Sequence, residues 1–437
     1  MINLNFIHPP EYKDLTKDKR IERAPLPKKA ILSLSQHTGA PSEPVVNMGD
    51  KVSTGTLIAK GKGFISSNLH SSISGKVTAI EQSIHPTLGK FEAIVVESDG
   101  EDKKAFEENI KEVANLTKEA IVNIVKDAGI VGLGGAAFPA SVKLSPPAGK
   151  KITTLIINGA ECEPFLTCDH RVMVEKSKEI ILGINLIAKV LGIENVIIAI
   201  EENKIDAIED LGSALFKIRD NTANITIKKL KTRYPQGGEK QLIKTILNKE
   251  VPSGGLPMDI GCLVSNVQTV YSVYEAVYFG KPLYERVITV SGRSLKEPKN
   301  ILVRLGTTIG EVLDFCKLDT KKDIFKIIMG GPMTGFAQYD LSAPIIKGTS
   351  GILVLDSSFK KHKEIDCVRC SRCIDSCPSG LMPCMIAVSM KSSRLDIAEN
   401  YDILDCIECG SCSYMCPSKI DIVHYIKLAK AKLRARK

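Results

Sequence analysis

The sequence predicts a multidomain α/β protein with a cysteine-rich helical tail, and three observations support this fold class. The chain has 437 residues, more than one hydrophobic core usually organises, so two to four domains are expected. Strand-like and helix-like segments alternate between about residues 117 and 285, which is typical of a mostly parallel sheet. Nine of the 13 cysteines lie within residues 367–437 in two regular groups, which indicates metal ligation rather than a disulfide framework.

The composition is that of an ordinary globular protein, with 43% apolar and 25% charged residues. The N-terminus lacks the apolar core and cleavage site of a signal peptide. The most apolar stretch, Ile180 to Ile200, is interrupted by Lys189 and Glu194, so no bilayer-spanning segment is predicted. The net charge is +9, but only 5% of residues are aromatic and Trp is absent, which argues against base stacking. Nucleic acid is therefore not expected as a partner.

Five segments with different compositions follow one another along the chain. Residues 1–27 are polar and punctuated by proline, which predicts an N-terminal arm. Residues 28–100 contain short β-rich runs with Gly and Ser turns. The α/β unit occupies residues 101–285, a second β-rich segment occupies residues 286–356, and residues 357–437 form the cysteine-rich tail with a basic C-terminal helix.

The tail contains two cysteine runs with one spacing, C-x₂-C-x₂-C-x₃-C-P. This is the run of two-cluster ferredoxins, in which the fourth cysteine of each run binds the other [4Fe–4S] cluster. Zinc sites use pairs of cysteines separated by longer gaps. The predicted ligands are Cys367, Cys370, Cys373 and Cys416 for one cluster, and Cys406, Cys409, Cys412 and Cys377 for the other. Cys384 has no counterpart in the second run and is interpreted as a buried thiol.

Four polar or glycine-rich segments of the α/β unit together predict a cofactor pocket. The loop 129–139, GIVGLGGAAFP, precedes a candidate helix, and its glycines allow the backbone to approach a phosphate. It does not follow a clear strand, so the dinucleotide-binding fingerprint is not satisfied. Residues 158–164, NGAECEP, follow the strand-like LIIN, where ligands of open α/β sheets usually lie. Residues 234–239, YPQGGE, and 265–269, SNVQT, begin two further candidate helices.

The order of these segments, followed by a β-rich domain and cysteine runs, resembles the flavin-carrying, NADH-oxidising subunit of respiratory complex I. The chain resembles more closely still the C subunits of Rnf complexes, which are membrane-bound ferredoxin:NAD⁺ oxidoreductases, over nearly its whole length. The resemblance implies that NAD(H) contacts Phe138, Glu163 and Glu239. It implies that FMN is bound by Gly132, Gly134, Gly135, Lys143, Asn158, Glu161, Gly237, Gly238, Ser265, Asn266 and Thr269.

Three positions depart from the complex I pattern. Leu133, Ala160 and Gly238 stand where arginine, aspartate and glutamate are usual in complex I. The contacts to phosphate and flavin are therefore expected to be redistributed.

The resemblance also implies the fold of the flanking domains. Residues 43–80 resemble a barrel-sandwich domain of the biotinyl/lipoyl type, but the hairpin tip reads Ile-Ser-Ser-Asn from Ile65 instead of carrying a lysine. A scaffold role is therefore expected rather than a swinging arm. Residues 286–356 resemble the soluble-ligand-binding β-grasp domain that follows the flavin fold in complex I, where a spacer role is expected. A Rossmann-like FMN domain is thus expected between a barrel-sandwich domain and a β-grasp domain, followed by a helical, ferredoxin-like two-cluster domain.

An electron-transfer role at the cytoplasmic side of a membrane is the function that this resemblance implies. FMN would exchange hydride with NAD(H) and single electrons with the clusters, so no side chain is assigned as a general acid or base. The expected partners are the other Rnf subunits, including a ferredoxin-like iron–sulfur subunit, with peripheral membrane contact. Those partners would couple ferredoxin oxidation to Na⁺ or H⁺ translocation. Two alternatives stay open: a cobalamin reductase of bacterial microcompartments, and a non-catalytic electron wire with a degenerate flavin fold.

Overall fold

The structure of the chain is a computed structural model that describes residues 5–107, 112–218, 221–360 and 363–436. Along the chain, a β-rich part is followed by an α/β part, a second β-rich part and a helical tail. This order confirms the mixed α/β, multidomain fold class predicted from the sequence.

The first β-rich part consists of short strands that form two sheets. Strand β1 (Ile21–Arg23) precedes these sheets in the N-terminal arm, and the strands of the two sheets are β2 (Lys29–Ser33), β3 (Ser42–Pro44), β4 (Lys51–Val52), β5 (Leu57–Gly61), β6 (Leu69–His70), β7 (Gly75–His85) and β8 (Gly89–Ser98). One antiparallel sheet has the order β2-β8-β7-β4, and the other has the order β3-β5-β6. Gly75 is required where β7 begins, because a Cβ there would lie 1.8 Å from the carbonyl oxygen of Glu97.

The α/β part contains a four-stranded parallel sheet with the order β11-β10-β9-β12. Its elements are α1 (Lys118–Asp127), α2 (Ala140–Lys143), β9 (Thr154–Gly159), α3 (Cys168–Glu175), α4 (Ser177–Leu191), β10 (Asn195–Glu201), α5 (Ile205–Lys217), β11 (Asn224–Leu230), α6 (Glu239–Leu247), β12 (Cys262–Asn266) and α7 (Val267–Phe279). The strand-like segments of the alternating pattern predicted from the sequence, LIIN, NVIIAI and NITIKKL, are β9, β10 and β11. Ile180, Ile184 and Ile187 of α4 are buried at helical spacing, so this helix packs its apolar stripe against the sheet.

The second β-rich part forms a six-stranded sheet with the order β1-β14-β13-β17-β15-β16. Its elements are β13 (Glu285–Ser291), β14 (Lys299–Arg304), α8 (Ile309–Phe315), β15 (Lys326–Met329), β16 (Phe336–Gln338) and β17 (Gly351–Leu355). Strand β1 of the N-terminal arm pairs in parallel with β14. The arm therefore completes a sheet whose other strands begin only at Glu285, far along the sequence.

The two β-rich parts share one hydrophobic core. Leu32 and Ile94 from the first part and Ile288 and Ile301 from the second are fully buried in the same cluster. Each sheet has an apolar face that must be covered, and the two faces cover one another.

The tail is built from short helices, α9 (Arg372–Asp375), α10 (Pro383–Lys391), α11 (Leu395–Glu399), α12 (Ser411–Met415) and α13 (Ile422–Ala435). Ile386 of α10 and Ile426 of α13 lie in its core with Cys373, Cys412 and Cys416. Single 3₁₀ turns occur at Pro257–Ile260, Ser357–Phe359 and Ile403–Asp405. Within the described ranges, no helix combines the length and the apolarity needed to cross a membrane.

Candidate functional site

The carboxyl ends of β9 and β12 define the crevice in which the predicted flavin-binding segments meet. The strand order of the parallel sheet reverses between these two strands, and ligands of open α/β sheets bind at such a switch point. The glycine loop lies against the start of α7, since a Cβ on Gly134 would come within 3.3 Å of Asn266 Cβ. The backbone N–H of Leu133 donates a 2.8 Å hydrogen bond to Thr269 Oγ1. Ser265, also predicted to bind FMN, is the residue before Asn266 in β12.

Two helices point their N-termini into this crevice, and carboxylate or amide groups cap them. Asn266 Oδ1 accepts from the backbone N–H groups of Gln268, at 2.9 Å, and Thr269, at 3.4 Å, at the start of α7. Glu161 accepts from the backbone N–H groups of Asp169, at 2.9 Å, and His170, at 3.3 Å, at the start of α3. Free N–H groups and the helix dipole at these ends favour negative charge.

Asp169 joins the two helix starts, although no sequence pattern singled it out. Its carboxylate accepts from Asn266 Nδ2 at 2.7 Å and from Gln268 Nε2 at 2.8 Å. Burial, together with the nearby Glu161, raises the pKa of Asp169 to about 6. The thiol of Cys168 lies beside Glu161 Oε1 at 3.4 Å. Neither Asp169 nor Cys168 belongs to a recognisable motif, and their position in the first turn of a helix after β9 was the one available signal.

The YPQGG turn packs directly on the NGAECEP segment. A Cβ on Gly237 would lie 2.4 Å from the carbonyl oxygen of Ala160. Asn158 Nδ2 donates a 2.9 Å hydrogen bond to the carbonyl oxygen of Gly237. Gly238 is the N-cap residue of α6, and a Cβ there would lie 2.7 Å from Gln241 Oε1. Because Glu161 bonds to Asp169 and Asp169 bonds to Asn266, this pair of segments also lies beside the glycine loop and the start of α7, and the crevice between the four segments is the candidate cofactor pocket.

The glycine loop of the pocket fits the phosphate of a flavin nucleotide. Gly134, Gly135 and Ala136 form an exposed crest, and Gly135 adopts a φ of +114° with open space where a Cβ would be. Such a crest can approach a ligand with its backbone alone. Two backbone hydrogen bonds close the loop: the Gly132 N–H donates to the Phe138 carbonyl oxygen at 2.8 Å, and the Ala137 N–H donates to the Gly132 carbonyl oxygen at 3.1 Å.

Lys143, Glu163 and Glu239, three more of the predicted ligand contacts, also have partners within the protein. Lys143 Nζ and Glu239 Oε1 form a 2.7 Å ion pair that is partly exposed. The carboxylate of Glu163 accepts from the backbone N–H groups of Met333, at 3.1 Å, and Thr334, at 3.0 Å, in the loop between β15 and β16. Burial raises the pKa of Glu163. Lys143, Glu163 and Glu239 would therefore have to exchange or share these partners to contact a cofactor.

The N-terminal arm closes the carboxyl edge of the sheet beside this pocket. The buried ammonium of Lys13 donates to the carbonyl oxygens of Glu161, at 2.8 Å, Glu163, at 3.0 Å, and Leu166. A cavity of about 80 Å³ lies between the arm and the ends of β9, β10 and β11 and includes Glu201 in its wall. The arm thus fixes the backbone of the NGAECEP segment.

Four of the predicted cluster ligands line one small cavity. The cavity has a volume of about 20 Å³, and its wall includes Cys377, Cys406, Cys409 and Cys412. This is the set that the crossed ligation pattern assigns to one cluster. Of the other set, Cys373 and Cys416 are buried, whereas Cys367 and Cys370 are exposed. Cys384, interpreted as a buried thiol, is only partly buried and lies beside Cys373.

The second cysteine run lies against the flavin pocket. Tyr234 of the YPQGG turn donates a 2.7 Å hydrogen bond from its hydroxyl to the carbonyl oxygen of Cys409. A Cβ on Gly410 would lie 2.7 Å from the carbonyl oxygen of Met333, in the loop that Glu163 holds. Tyr234, Cys409 and Ile7 of the arm share one small hydrophobic cluster. The cavity lined by the four thiols is therefore adjacent to the pocket.

Three family models match successive parts of the chain. Residues 5–101 match the RnfC barrel sandwich hybrid domain, residues 125–275 the Nuo51 FMN-binding domain, and residues 359–422 a 4Fe-4S dicluster domain. The predictions of FMN and of [4Fe–4S] clusters as cofactors are thereby confirmed.

Curated relatives match over almost the entire chain, and all three described here are the C subunits of their complexes. That of the proton-translocating ferredoxin:NAD(+) oxidoreductase complex of Clostridium ljungdahlii is 48% identical over 98% of this chain and 93% of its own length. The C subunit of the Na(+)-translocating ferredoxin:NAD(+) oxidoreductase complex of Acetobacterium woodii is 41% identical over 99% of this chain and 97% of its own length. The C subunit of the ion-translocating oxidoreductase complex of Rhodobacter capsulatus is 41% identical over 98% of this chain and 83% of its own length.

Among solved structures, NAD⁺-reducing [NiFe]-hydrogenase has a similar fold. The H₂-reduced form gives a TM-score of 0.52 at 18% identity and covers 73% of this chain and 61% of the hydrogenase chain. The air-oxidised form gives a TM-score of 0.54 at 18% identity and covers 72% of this chain and 66% of the hydrogenase chain. This chain thus spans less than two thirds of the hydrogenase chain, and the likeness concerns the fold alone.

Proposed function

This chain belongs to the family of C subunits of ion-translocating ferredoxin:NAD(+) oxidoreductase complexes, and we propose that it is the NAD(H)-reactive electron-transfer subunit of such a complex. The observation that carries the proposal is the hydrogen bond from Tyr234, in the YPQGG turn, to Cys409, in the wall of the cluster cavity. A nicotinamide-reactive cofactor and a one-electron carrier would therefore be neighbours.

The residues of the crevice would hold FMN at the switch point between β9 and β12. Gly134 and Gly135 would offer backbone N–H groups, Gly132 would close the loop beneath them, and Asn266 and Glu161 keep the starts of α7 and α3 in place. Bound FMN supplies the exchange between a two-electron nicotinamide and one-electron clusters. Phe138, Glu163 and Glu239 would line the side on which NAD(H) binds, after Glu163 and Glu239 give up or share their present partners.

The two cysteine sets would hold two [4Fe–4S] clusters in series. Cys406, Cys409, Cys412 and Cys377 would bind the cluster beside the flavin pocket, since these thiols line one cavity. Cys367, Cys370, Cys373 and Cys416 would bind the other, for which the exposure of Cys367 and Cys370 supports a position near the protein surface. An exposed cluster is suited to exchange electrons with another protein of the complex.

The remaining assignments follow from family membership. The partners would be the other subunits of the complex, including a ferredoxin-like iron–sulfur subunit, and these would place the chain at the cytoplasmic side of the membrane. Na⁺ or H⁺ translocation would be carried by those partners. Residues 286–356 would form a β-grasp spacer domain, and the other domains would have the boundaries given above. The match of residues 5–101 to the RnfC barrel sandwich makes the cobalamin reductase alternative the less favoured one.

An optical experiment on the isolated chain tests the proposal. The chain is reconstituted anaerobically with iron, sulfide and FMN, and its spectrum is recorded before and after NADH is added. Retained flavin that bleaches with NADH is the expected result. Cluster absorbance without retained flavin, and without a response to NADH, would overturn the enzymatic proposal and leave a non-catalytic electron wire.

A further inference from the structure

A buried arginine of the six-stranded sheet forms a hydrogen bond with the backbone of the glycine loop. Arg286 of β13 is 2% exposed. Its Nη2 donates a 3.1 Å hydrogen bond to the carbonyl oxygen of Leu133, and its Nη1 donates to the carbonyl oxygen of Lys347. Because the N–H of Leu133 is bound by Thr269 Oγ1, the peptide groups on both sides of this residue are clamped just before the exposed crest.

The guanidinium of Arg286 forms no ion pair with a carboxylate in the ranges that the structure describes. Its hydrogen bonds go to main-chain carbonyl oxygens. Arg304 on the neighbouring strand shows the contrast, since it pairs with Asp102 at 2.6 Å and with Glu285 at 3.3 Å. A buried charge without a directly bonded counter-ion is costly, and a negative ligand nearby would lower that cost.

The glycine loop of the pocket supplies no positive charge of its own. Residues 129–139 contain no basic side chain, so positive charge near the crest must come from elsewhere in the fold. Asp169 and Cys168, at the start of α3 in the same crevice, are close enough to Arg286 to raise its pKa against the larger lowering by burial. The hydrogen bond from Arg286 to the Leu133 carbonyl oxygen places its guanidinium beside the glycine loop that borders this crevice.

We propose that Arg286 is a positioning residue that holds the glycine crest through Leu133 and that its charge favours the reduced form of FMN. This inference rests on the proposed function. Reduction of FMN by two electrons with uptake of one proton adds one net negative charge to the ring. A fixed positive charge nearby stabilises that charge and makes the midpoint potential less negative.

The test separates charge from hydrogen bonding in the full-length, reconstituted chain. Arg286→Gln keeps amide donors but removes the charge, whereas Arg286→Lys keeps the charge but loses the paired donors. Exposed Arg293, in the turn after β13, supplies the control variant Arg293→Gln. FMN affinity is measured by quenching of flavin fluorescence, the FMN midpoint potential by spectroelectrochemical titration, and iron content in parallel.

Both Arg286 variants are expected to weaken binding of oxidised FMN, because both disturb the Leu133 carbonyl contact. Arg286→Gln is also expected to shift the midpoint potential to a more negative value. A tenfold loss of preference for the reduced form corresponds to about 30 mV in a two-electron couple. Arg286→Lys should keep the potential of the parent chain, and Arg293→Gln should change neither quantity.

Equal potentials in Arg286→Gln and the parent chain would overturn the charge effect. If Arg286→Gln does not fold, Arg286→Lys still decides, because a negative shift of its potential despite the retained charge would contradict the proposal. A parent chain that binds no FMN would reject the proposed function itself. A parent chain that binds FMN, with variants indistinguishable from it, would reject this inference alone.

Discussion

The hydroxyl of Tyr234 lies 2.7 Å from the carbonyl oxygen of Cys409 and donates a hydrogen bond to it. Both residues are buried, and 175 positions separate them in the sequence. The bond joins the YPQGG turn of the proposed flavin pocket to the second cysteine run, which supplies three of the proposed ligands of the adjacent cluster. This hydrogen bond therefore helps to hold the proposed FMN site and the proposed cluster site in a defined position relative to each other.

Tyr234→Phe is expected to weaken the docking of the tail on the flavin domain. The buried carbonyl oxygen of Cys409 would lose this donor, at a cost of about 1–3 kcal/mol in the free energy of unfolding. FMN and iron contents should stay unchanged. NADH should reduce the cluster bound by Cys406, Cys409 and Cys412 more slowly, as measured by freeze-quench spectroscopy. Tyr271→Phe, which removes a hydroxyl bound to Glu275 within α7, is the control. Equal cluster-reduction rates in the two variants would show that the Tyr234–Cys409 hydrogen bond does not affect electron transfer to this cluster.

Cys377→Ser and Cys384→Ser are expected to differ in iron content. Cys377 lines the cavity with Cys406, Cys409 and Cys412, so its loss should remove one cluster and about half of the iron. Cys384 lies beside Cys373 but outside both ligand sets, so Cys384→Ser should retain both clusters. Colorimetric iron analysis and electron paramagnetic resonance of the reduced proteins distinguish the outcomes. Loss of iron from the Cys384 variant would show that the ligand assignment is wrong.

Gly237→Ala is expected to abolish FMN retention. The new Cβ would lie 2.4 Å from the carbonyl oxygen of Ala160, so the backbone must shift, at a cost of about 1–3 kcal/mol in stability. Gly212→Ala in α5 is the matched control, because a Cβ there meets open space and alanine is the better helix former by about 1 kcal/mol. Flavin fluorescence after gel filtration gives the readout. FMN retained equally by both variants would argue against a flavin site at this turn.

Glu163→Gln and Thr334→Val together separate two roles of Glu163. The carboxylate accepts from the backbone N–H and the hydroxyl of Thr334, so either variant should loosen the β15–β16 loop. If Glu163 also contacts NAD(H), the KM for NADH should rise in Glu163→Gln well above its value in Thr334→Val. Steady-state NADH–dye kinetics measure both. The same KM in the two variants would restrict Glu163 to the structural role.

His70 should make stability depend on pH below neutrality. Burial, with the charge of Lys347, lowers the pKa of His70 to about 3, whereas a histidine in the unfolded chain titrates near 6.5. Between these values the unfolded state binds the additional proton, so stability falls as the pH falls. The contribution amounts to about 1.4 kcal/mol at pH 5.5 relative to pH 7.5.

Urea unfolding of His70→Gln at both pH values tests this expectation. The variant should show a smaller difference between pH 7.5 and pH 5.5 than the parent chain. His424→Gln, at an exposed position of α13, should leave the difference unchanged. A pH dependence identical in His70→Gln and the parent chain would contradict a neutral, buried His70.

Much of the pocket could be predicted because its glycines and polar groups stand at strand ends and helix starts. The segments that contain Gly134, Asn266 and Gly237 were identified on that basis, the resemblance to complex I implied the individual residues, and the structure brings the segments together. Lys143 and Glu239 were also selected, but nothing in the sequence showed that they would pair with each other. Asp169 and Arg286 were not identified, because a single charged residue in a helix or strand has no distinguishing pattern.

The cluster chemistry and the α/β unit could be read from the amino-acid sequence without any structure. Ligand spacing and apolar periodicity are local properties, set by the geometry of a few consecutive residues. The pairing of β1 with β14 and the shared core of the two β-rich parts became visible in the folded chain alone. The same holds for the contact of Cys409 with Tyr234 and the position of Arg286 beneath Leu133. Such contacts depend on which apolar faces bury one another across long stretches of sequence, and no short segment encodes that choice.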